Sequence, residues 1–97
     1  MLRHVALFRW ADGTTAEQRQ AVVQGLARLP SLIPELLDYR FGDDAGLVEG
    51  NWDFAVVADF DDVDGWRAYR EHPEHRRVLS EHIARVAAER AAVQYRL

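Results

Sequence analysis

The residues most able to do chemistry lie in one short segment, WRAYREHPEHRRVL, at positions 66 to 79. Tyr69, His72 and His75 fall within seven residues of one another, with Pro73 between the two histidines. A neutral histidine accepts a proton near pH 7, and a tyrosine hydroxyl beside it donates a hydrogen bond to a carbonyl or enolate oxygen. His75 and Tyr69 are therefore candidate catalytic residues for proton abstraction next to a carbonyl, as in aldol or Claisen-type ring closure.

Two effects on the pKa of His75 oppose each other. Proline is well accommodated in the first turn of a helix, so His75 lies near a helix N-terminus. The positive end of that helix favours a neutral imidazole. Glu71 and Glu74 raise the pKa of the same ring, because a negative charge favours the imidazolium. The sequence alone does not decide between these effects.

The same residues have structural interpretations as well. Tyr69 on an amphipathic helix is typical of a core position, and His72 before Pro73 is placed to cap a helix. A metal site at His72 and His75 is disfavoured, because paired ligands on one helix face are four residues apart and Pro73 interrupts the helix. No serine has the context of a nucleophile, no glycine-rich loop suits a phosphate, and no cofactor motif is present. We therefore expect neither a metal nor a cofactor.

Hydrophobic periodicity predicts one domain over residues 1–97 with elements in the order β-α-β-β-α-β. This is the α+β ferredoxin-like arrangement, a four-stranded antiparallel sheet with helices on one face. Thr14 and Glu17 have the spacing of a capping box at the start of the first helix, and Pro30 and Pro34 are expected to end it. The predicted strands span residues 2–10, 36–42, 52–60 and 88–97. A short helix follows Asp61 or Asp62, and another covers about residues 74–86.

These elements place a pocket beside the candidate catalytic pair. His4 and Phe8 share one face of the first strand, and Phe54 lies on the corresponding alternation of the third strand. Leu79 comes four residues after His75 and so lies on the same side of its helix. If the helices cover this sheet face, the candidate substrate contacts are His4, Phe8, Phe54 and Leu79.

The sheet is apolar on its other face too. Val5 and Leu7 in the first strand, and Ala55 and Val57 in the third, point away from the pocket side. An antiparallel sheet with one solvated face alternates apolar with polar residues, and this sheet does not. The two helices cover only one face, so the simplest cover for the other is a second copy of the chain. The pattern predicts a homodimer that forms a barrel-like α+β structure.

Composition excludes several classes of protein. The net charge is −4, which argues against a nucleic-acid-binding surface. The chain has no cysteine, so disulfides, zinc–thiolate sites and cysteine nucleophiles are excluded. No apolar run approaches the roughly 20 residues of a membrane span, and the N-terminus does not resemble a signal peptide. We expect a cytoplasmic protein with no membrane partner.

Three segments carry a resemblance to a known family: RHVALFRW, LPSLIPELLDYRFG and NWDFAVVADFDDVDGWRAYREHPEHRRV. Together they resemble the stress-responsive A/B barrel (Dabb) family, whose most specific feature is a Tyr-x-x-His-Pro-x-His run. The resemblance implies a homodimeric α+β barrel. It also implies similarity to the family's plant polyketide cyclase that makes olivetolic acid, in which Tyr69 and His75 match the catalytic positions and His4 matches a pocket histidine. The chain departs from that cyclase at Phe54, where the cyclase has another histidine.

Three functions are therefore open. The first is a homodimeric Dabb domain with a pocket for a small hydrophobic ligand and no established reaction. The second is a cofactor-independent cyclase or isomerase in which His75 is the base and Tyr69 the hydrogen-bond donor. The third is a protein similar to the cofactor-independent monooxygenases, which also use dimeric α+β barrels.

Overall fold

The computed structural model describes residues 1–97 and shows four strands with a helical layer on one side. The first helix joins the first two strands, and the other helical segments join the last two. The elements in chain order are β1 (Leu2–Trp10), α1 (Ala16–Leu32), β2 (Asp38–Asp43), β3 (Phe54–Phe60), α2 (Val63–Glu71), α3 (Pro73–Val78), a π-helical segment (Leu79–Ile83), α4 (Ala84–Val86) and β4 (Ala87–Arg96).

The four strands form one antiparallel sheet in the order β2-β3-β1-β4. This order confirms the predicted ferredoxin-like fold. The register aligns Tyr39, Ala58, His4 and Gln94 in one row across the sheet. Because directly paired residues of neighbouring strands point to the same side, this row lies on one face.

The start and the end of α1 differ from the sequence prediction. Thr15, not Thr14, is the N-cap: its hydroxyl accepts from the Gln18 N–H at 3.1 Å, and the Gln18 side chain accepts from the Thr15 N–H at 2.9 Å. The Thr14 hydroxyl instead donates to the Ala11 carbonyl at 2.6 Å. The prediction that Pro30 ends the helix was also wrong, since α1 continues to Leu32.

Burial explains why α1 continues through the proline. Leu29 is 1% exposed and Ile33 is fully buried, so the C-terminal end of α1 is packed against the core on both sides of Pro30. The Ile33 N–H donates to the Leu29 carbonyl at 2.9 Å. The chain leaves the helix at Ile33, which has extended backbone angles, as expected for a residue before a proline such as Pro34.

The core lies between α1, the helical segments after β3 and one face of the sheet. One side of α1 faces this core, since Val22, Leu26 and Leu29 are buried. Gly25 lies on the same helix where α1 approaches α3 closely: a Cβ built there would be 3.2 Å from a methyl group of Val78. The largest of the fully buried side chains are Val22, Leu26, Leu29, Ile33, Phe60 and Ile83.

The opposite face of the sheet has no helix over it. Leu7 is 37% exposed and Val93 is 56% exposed in the single chain. On the same face Arg3 makes a two-pronged ion pair with Asp59, with N–O distances of 2.7 and 2.8 Å. The prediction that apolar side chains occupy both faces is confirmed, and one apolar face lacks a cover within the chain.

None of the helices combines the length and the apolar character that crossing a bilayer demands. The cytoplasmic location stays a prediction.

Candidate functional site

A cavity of about 600 Å³ lies between the helix-covered face of the sheet and the helical segments that follow β3. Eleven of its 16 lining residues are hydrophobic. Both candidate catalytic residues, Tyr69 and His75, are in the lining, as are His4, Phe8 and Leu79. The apolar wall also includes Ala6, Leu26, Val56, Trp66 and Ile83.

A helix break brings Tyr69 and His75 together. Tyr69 lies near the end of α2, whose N-cap is Asp62; the Asp62 carboxylate accepts from the Gly65 N–H at 2.9 Å. His72 leaves the helical conformation, and its Nδ1 accepts from the Glu74 N–H at 3.1 Å, so it caps α3 as the sequence suggested. The turn at this break puts the ring of His75 4.0 Å from that of Tyr69, centroid to centroid.

His75 is held as a neutral imidazole. It is 9% exposed, and burial lowers its pKa to about 4, an effect that the carbonyl of Arg70 opposes and that His4 and His72 reinforce. The sequence left open whether the pKa of His75 is raised or lowered, and in the structure it is lowered. The Nδ1–H of His75 donates to the Arg70 carbonyl at 3.3 Å. In that tautomer Nε2 carries the lone pair and can accept a proton.

Tyr69 is a buried phenol that stays protonated. It is 3% exposed, and burial raises its pKa to about 12, against a lowering by its hydrogen bond with Tyr39. The two hydroxyl oxygens are 3.0 Å apart. Burial, reinforced by Tyr69, also raises the pKa of Tyr39. When Tyr39 is the donor in this pair, the proton of Tyr69 is available to a ligand.

Tyr39 also lines the cavity and was missed by the sequence analysis. The alternation of Leu37, Tyr39 and Phe41 correctly indicated a strand, but it carries no information on the register between β2 and β3. That register pairs Tyr39 with Ala58, whose small side chain leaves room for the ring to reach Tyr69.

His4 lines the cavity from the sheet side. The Gln94 amide nitrogen lies 2.8 Å from His4 Nδ1 and donates to it, so the proton of the neutral ring is on Nε2. Burial lowers the pKa of His4. The His4 ring is 6.1 Å from that of Tyr69 and 6.5 Å from that of Trp66. Gln94, like Tyr39, is a lining residue that the sequence analysis did not identify.

Phe54 does not line this cavity, although it was expected there. It is 2% exposed and belongs to an aromatic cluster at the end of the sheet, where its ring centroid lies 5.4 Å from that of Trp10 and 6.3 Å from that of Phe8. Phe8 touches both regions and forms the boundary between them. Strand alternation predicted the correct face for Phe54 but not its position along the strand relative to the cavity.

The π-helical segment shapes the remaining wall. The Ala84 N–H donates to the Leu79 carbonyl, five residues back, which widens the turn. Leu79 and Ile83, at the two ends of this segment, both line the cavity. π-Helical turns of this kind occur frequently at functional sites. The sequence predicted an ordinary helix here, with bounds of about 74–86.

The histidines do not gather into a metal site. No group of three or more histidine, aspartate or glutamate side chains is placed to hold a metal ion. His4, Tyr39, Tyr69 and His75 instead contribute polar ring groups to the lining of a mostly apolar cavity.

Comparison with known proteins agrees with this fold. The stress responsive A/B barrel domain matches residues 2–97. A dimeric ferredoxin-like protein of unknown function from Thermobifida fusca is 54% identical, with a TM-score of 0.92 over 99% of this chain and 90% of that one. An uncharacterized protein of Streptomyces coelicolor is 32% identical over 77% of this chain and 79% of its own length.

The fold is also similar to that of a hydroxynitrile lyase from Passiflora edulis, with 16% identity and a TM-score of 0.84 over 97% of this chain and 90% of that one. At this identity the likeness concerns the fold alone. The match over residues 2–97 covers nearly the whole chain, including the Tyr69–His75 segment. The chain belongs to the stress responsive A/B barrel (Dabb) family.

Proposed function

We propose that the protein is a homodimeric, cofactor-independent enzyme that binds a small apolar carbonyl compound and abstracts a proton next to its carbonyl group. His75 is the base and Tyr69 the hydrogen-bond donor. The observation that carries this proposal is the shared cavity, which is lined by a neutral imidazole and a protonated phenol whose rings are 4.0 Å apart. Cyclisation of the aldol type and isomerisation both begin with this step.

The proton is transferred to Nε2 of His75. As the C–H bond of the substrate breaks, its electron pair moves into the carbonyl and forms an enolate, and the Tyr69 hydroxyl donates to the enolate oxygen. In a cyclisation the enolate carbon then attacks a second carbonyl of the same molecule. In an isomerisation the imidazolium returns its proton to a different carbon.

The surroundings of His75 support this role. The low pKa means that the free ring is neutral at pH 7, and its Nδ1–H is already bonded to the Arg70 carbonyl. That carbonyl stabilises the imidazolium once Nε2 is protonated, and the negative enolate beside it adds to the effect. The base is therefore weak in the empty cavity and strengthened as the enolate forms.

The surroundings of Tyr69 support its role as donor. A hydroxyl that accepts one hydrogen bond donates a stronger one, because hydrogen bonds in a chain polarise one another. Tyr39 is placed 3.0 Å away to provide that bond. The chain Tyr39 to Tyr69 to substrate oxygen thus directs the phenol proton into the cavity.

The proposed homodimer rests on the uncovered sheet face and on the Thermobifida fusca relative, which is described as dimeric. An interface of ordinary size buries about 800 Å² on each subunit. Sedimentation equilibrium is expected to show a species of twice the 11.1 kDa chain mass. Leu7→Glu places a charge on the uncovered face and is expected to dissociate the dimer. Leu47→Glu changes an exposed loop leucine outside that face and serves as the control.

The catalytic proposal is tested by deuterium exchange at the methylene of an uncharged aryl 1,3-diketone in D₂O, followed by NMR. The protein is expected to accelerate the exchange, and His75→Ala to reduce the acceleration by about 100-fold or more. Tyr69→Phe is expected to reduce it by about 100-fold as well. His82→Ala removes a histidine of the same helical region that lies outside the cavity lining, and it is the matched control. Equal exchange rates with His75→Ala and His82→Ala refute the proposal.

The monooxygenase-like alternative is not favoured by any contact described above. Exchange of a carbon-bound proton needs only the His75 and Tyr69 groups that the cavity contains.

A further inference from the structure

The permanently charged side chains that line the cavity are all positive. Its lining contains two arginines, Arg70 and Arg90, and no aspartate or glutamate. The chain as a whole has 16 acidic and 12 basic residues, so the residues outside the lining together carry a net negative charge. The two lining histidines, His4 and His75, have lowered pKa values and add no positive charge at pH 7. The cavity is therefore locally positive because of the two guanidinium groups.

Arg70 has no carboxylate partner and is held by an aromatic ring. Its guanidinium carbon lies 5.4 Å from the ring centroid of Trp66, which also lines the cavity. Glu74, four residues further on and beyond the helix break at His72, is 3.9 Å from Arg77 instead. Arg70 is thus positioned by a cation–π contact that leaves its N–H groups free for another partner.

Arg90 on β4 is likewise without an ion pair. It is paired in register with Phe8, on the face of the sheet that lines the cavity. Its neighbour Glu89 points to the other face, where its carboxylate lies 2.8 Å from Arg9. Arg70 and Arg90 are both exposed and both line the apolar cavity, Arg70 from the helical layer and Arg90 from the sheet.

We propose that the cavity takes a ligand with an apolar body and a carboxylate at its outer end, and that Arg70 and Arg90 bind this carboxylate. Guanidinium groups match the planar carboxylate with paired N–H···O bonds. The apolar body occupies the wall formed by side chains such as Leu26, Val56 and Ile83. This inference rests on the proposed function for the location of the ligand, and it adds the class of substrate, a carbonyl compound that is also a carboxylic acid.

The test compares two probes of equal size by isothermal titration calorimetry at low salt: 5-phenylpentanoate and 5-phenylpentan-1-ol. The acid is expected to bind about tenfold more tightly or better, and about 0.5 M NaCl is expected to reduce that preference by screening. Arg70→Gln and Arg90→Gln are each expected to weaken acid binding about fivefold. Neither change is expected to alter alcohol binding by more than about twofold.

Arg96→Gln is the matched control. Arg96 is an exposed arginine of the same strand, without an ion pair and outside the cavity lining. Equal affinity for acid and alcohol, or an equal loss with Arg96→Gln, overturns the inference. Absence of binding of both probes at millimolar concentration overturns it as well.

The outcome is distinguishable from failure of the proposed reaction. The exchange assay uses an uncharged diketone and reports on His75. The calorimetric comparison reports on the two arginines. If exchange is catalysed and the acid has no preference, the carboxylate inference is wrong and the reaction stands. If the acid is preferred and no exchange occurs, the carboxylate site stands and the reaction is wrong.

Discussion

Replacing His75 by glutamine is expected to change how the stability of the protein depends on pH. In the unfolded chain a histidine has a pKa of 6.5, whereas burial holds that of His75 at about 4. Between these two values the unfolded state binds more protons than the folded state, so stability falls as pH falls. The contribution of neutral His75 to the free energy of unfolding is complete above pH 6.5 and is lost progressively as pH falls to about 4.

The size of the effect follows from the same two pKa values. Between pH 7 and pH 5 the linkage relation gives a loss of about 2 kcal/mol in the free energy of unfolding from His75 alone. In His75→Gln this pH-dependent loss is absent, because the glutamine amide is uncharged in both the folded and the unfolded state. The amide can still donate to the Arg70 carbonyl. The variant is therefore expected to lose about 2 kcal/mol less than the wild type over this interval.

The assay is urea denaturation at pH 7 and at pH 5, at one protein concentration because dimerisation contributes to stability. His82→Gln is the control, because it removes a half-buried histidine of the same helical region that lies outside the cavity. The two glutamine variants are expected to differ in their pH dependence. If His75→Gln loses as much stability as the wild type between the two pH values, His75 is not buried in its neutral form and the argument fails.

Three further predictions concern the supporting residues. Tyr39→Phe is expected to lower the rate of diketone exchange about fivefold with little change in KM, since it removes one neutral hydrogen bond to Tyr69; an unchanged rate contradicts this role. Thr15→Ala is expected to lower the free energy of unfolding by about 1 kcal/mol in urea denaturation, and an effect near zero contradicts the assignment of the N-cap. The ion pair with Arg3 lowers the pKa of Asp59 in the folded state. The pair therefore stabilises the fold above the pKa that Asp59 has in the unfolded chain, and this stabilisation is lost as pH falls through the lower pKa of the folded state. Asp59→Asn is accordingly expected to flatten the stability curve in the acidic range, and an unaltered curve contradicts the ion pair.

The sequence predicted those features that depend on the spacing of residues within one element. Alternation in β1 put His4 and Phe8 on one face and Leu7 on the other, and the structure has them so. The apolar character of both faces was visible for the same reason. These patterns depend only on residues within one strand or helix, so they can be recognised without knowing how the elements pack together.

Features that depend on the alignment of separate elements were not predictable in the same way. The hydrogen bond between Tyr39 and Tyr69 needs the register of β2 on β3, which follows a loop whose geometry no sequence pattern specified. Phe54 was assigned to the cavity because alternation indicates a face and not a distance along the strand. The cap lies at Thr15 rather than Thr14, and spacing could not distinguish them, because Thr15 and Gln18 are separated by the same three residues as Thr14 and Glu17.

The pH dependence of kcat/KM for diketone exchange shows whether His75 is the neutral base of a cofactor-independent proton transfer. This quantity reports the pKa of the free enzyme's essential base. We expect a rate that stays constant as pH falls through 6.5 and declines with a midpoint near the His75 pKa of about 4. A midpoint near 6.5, or an unchanged profile in His75→Gln, contradicts it.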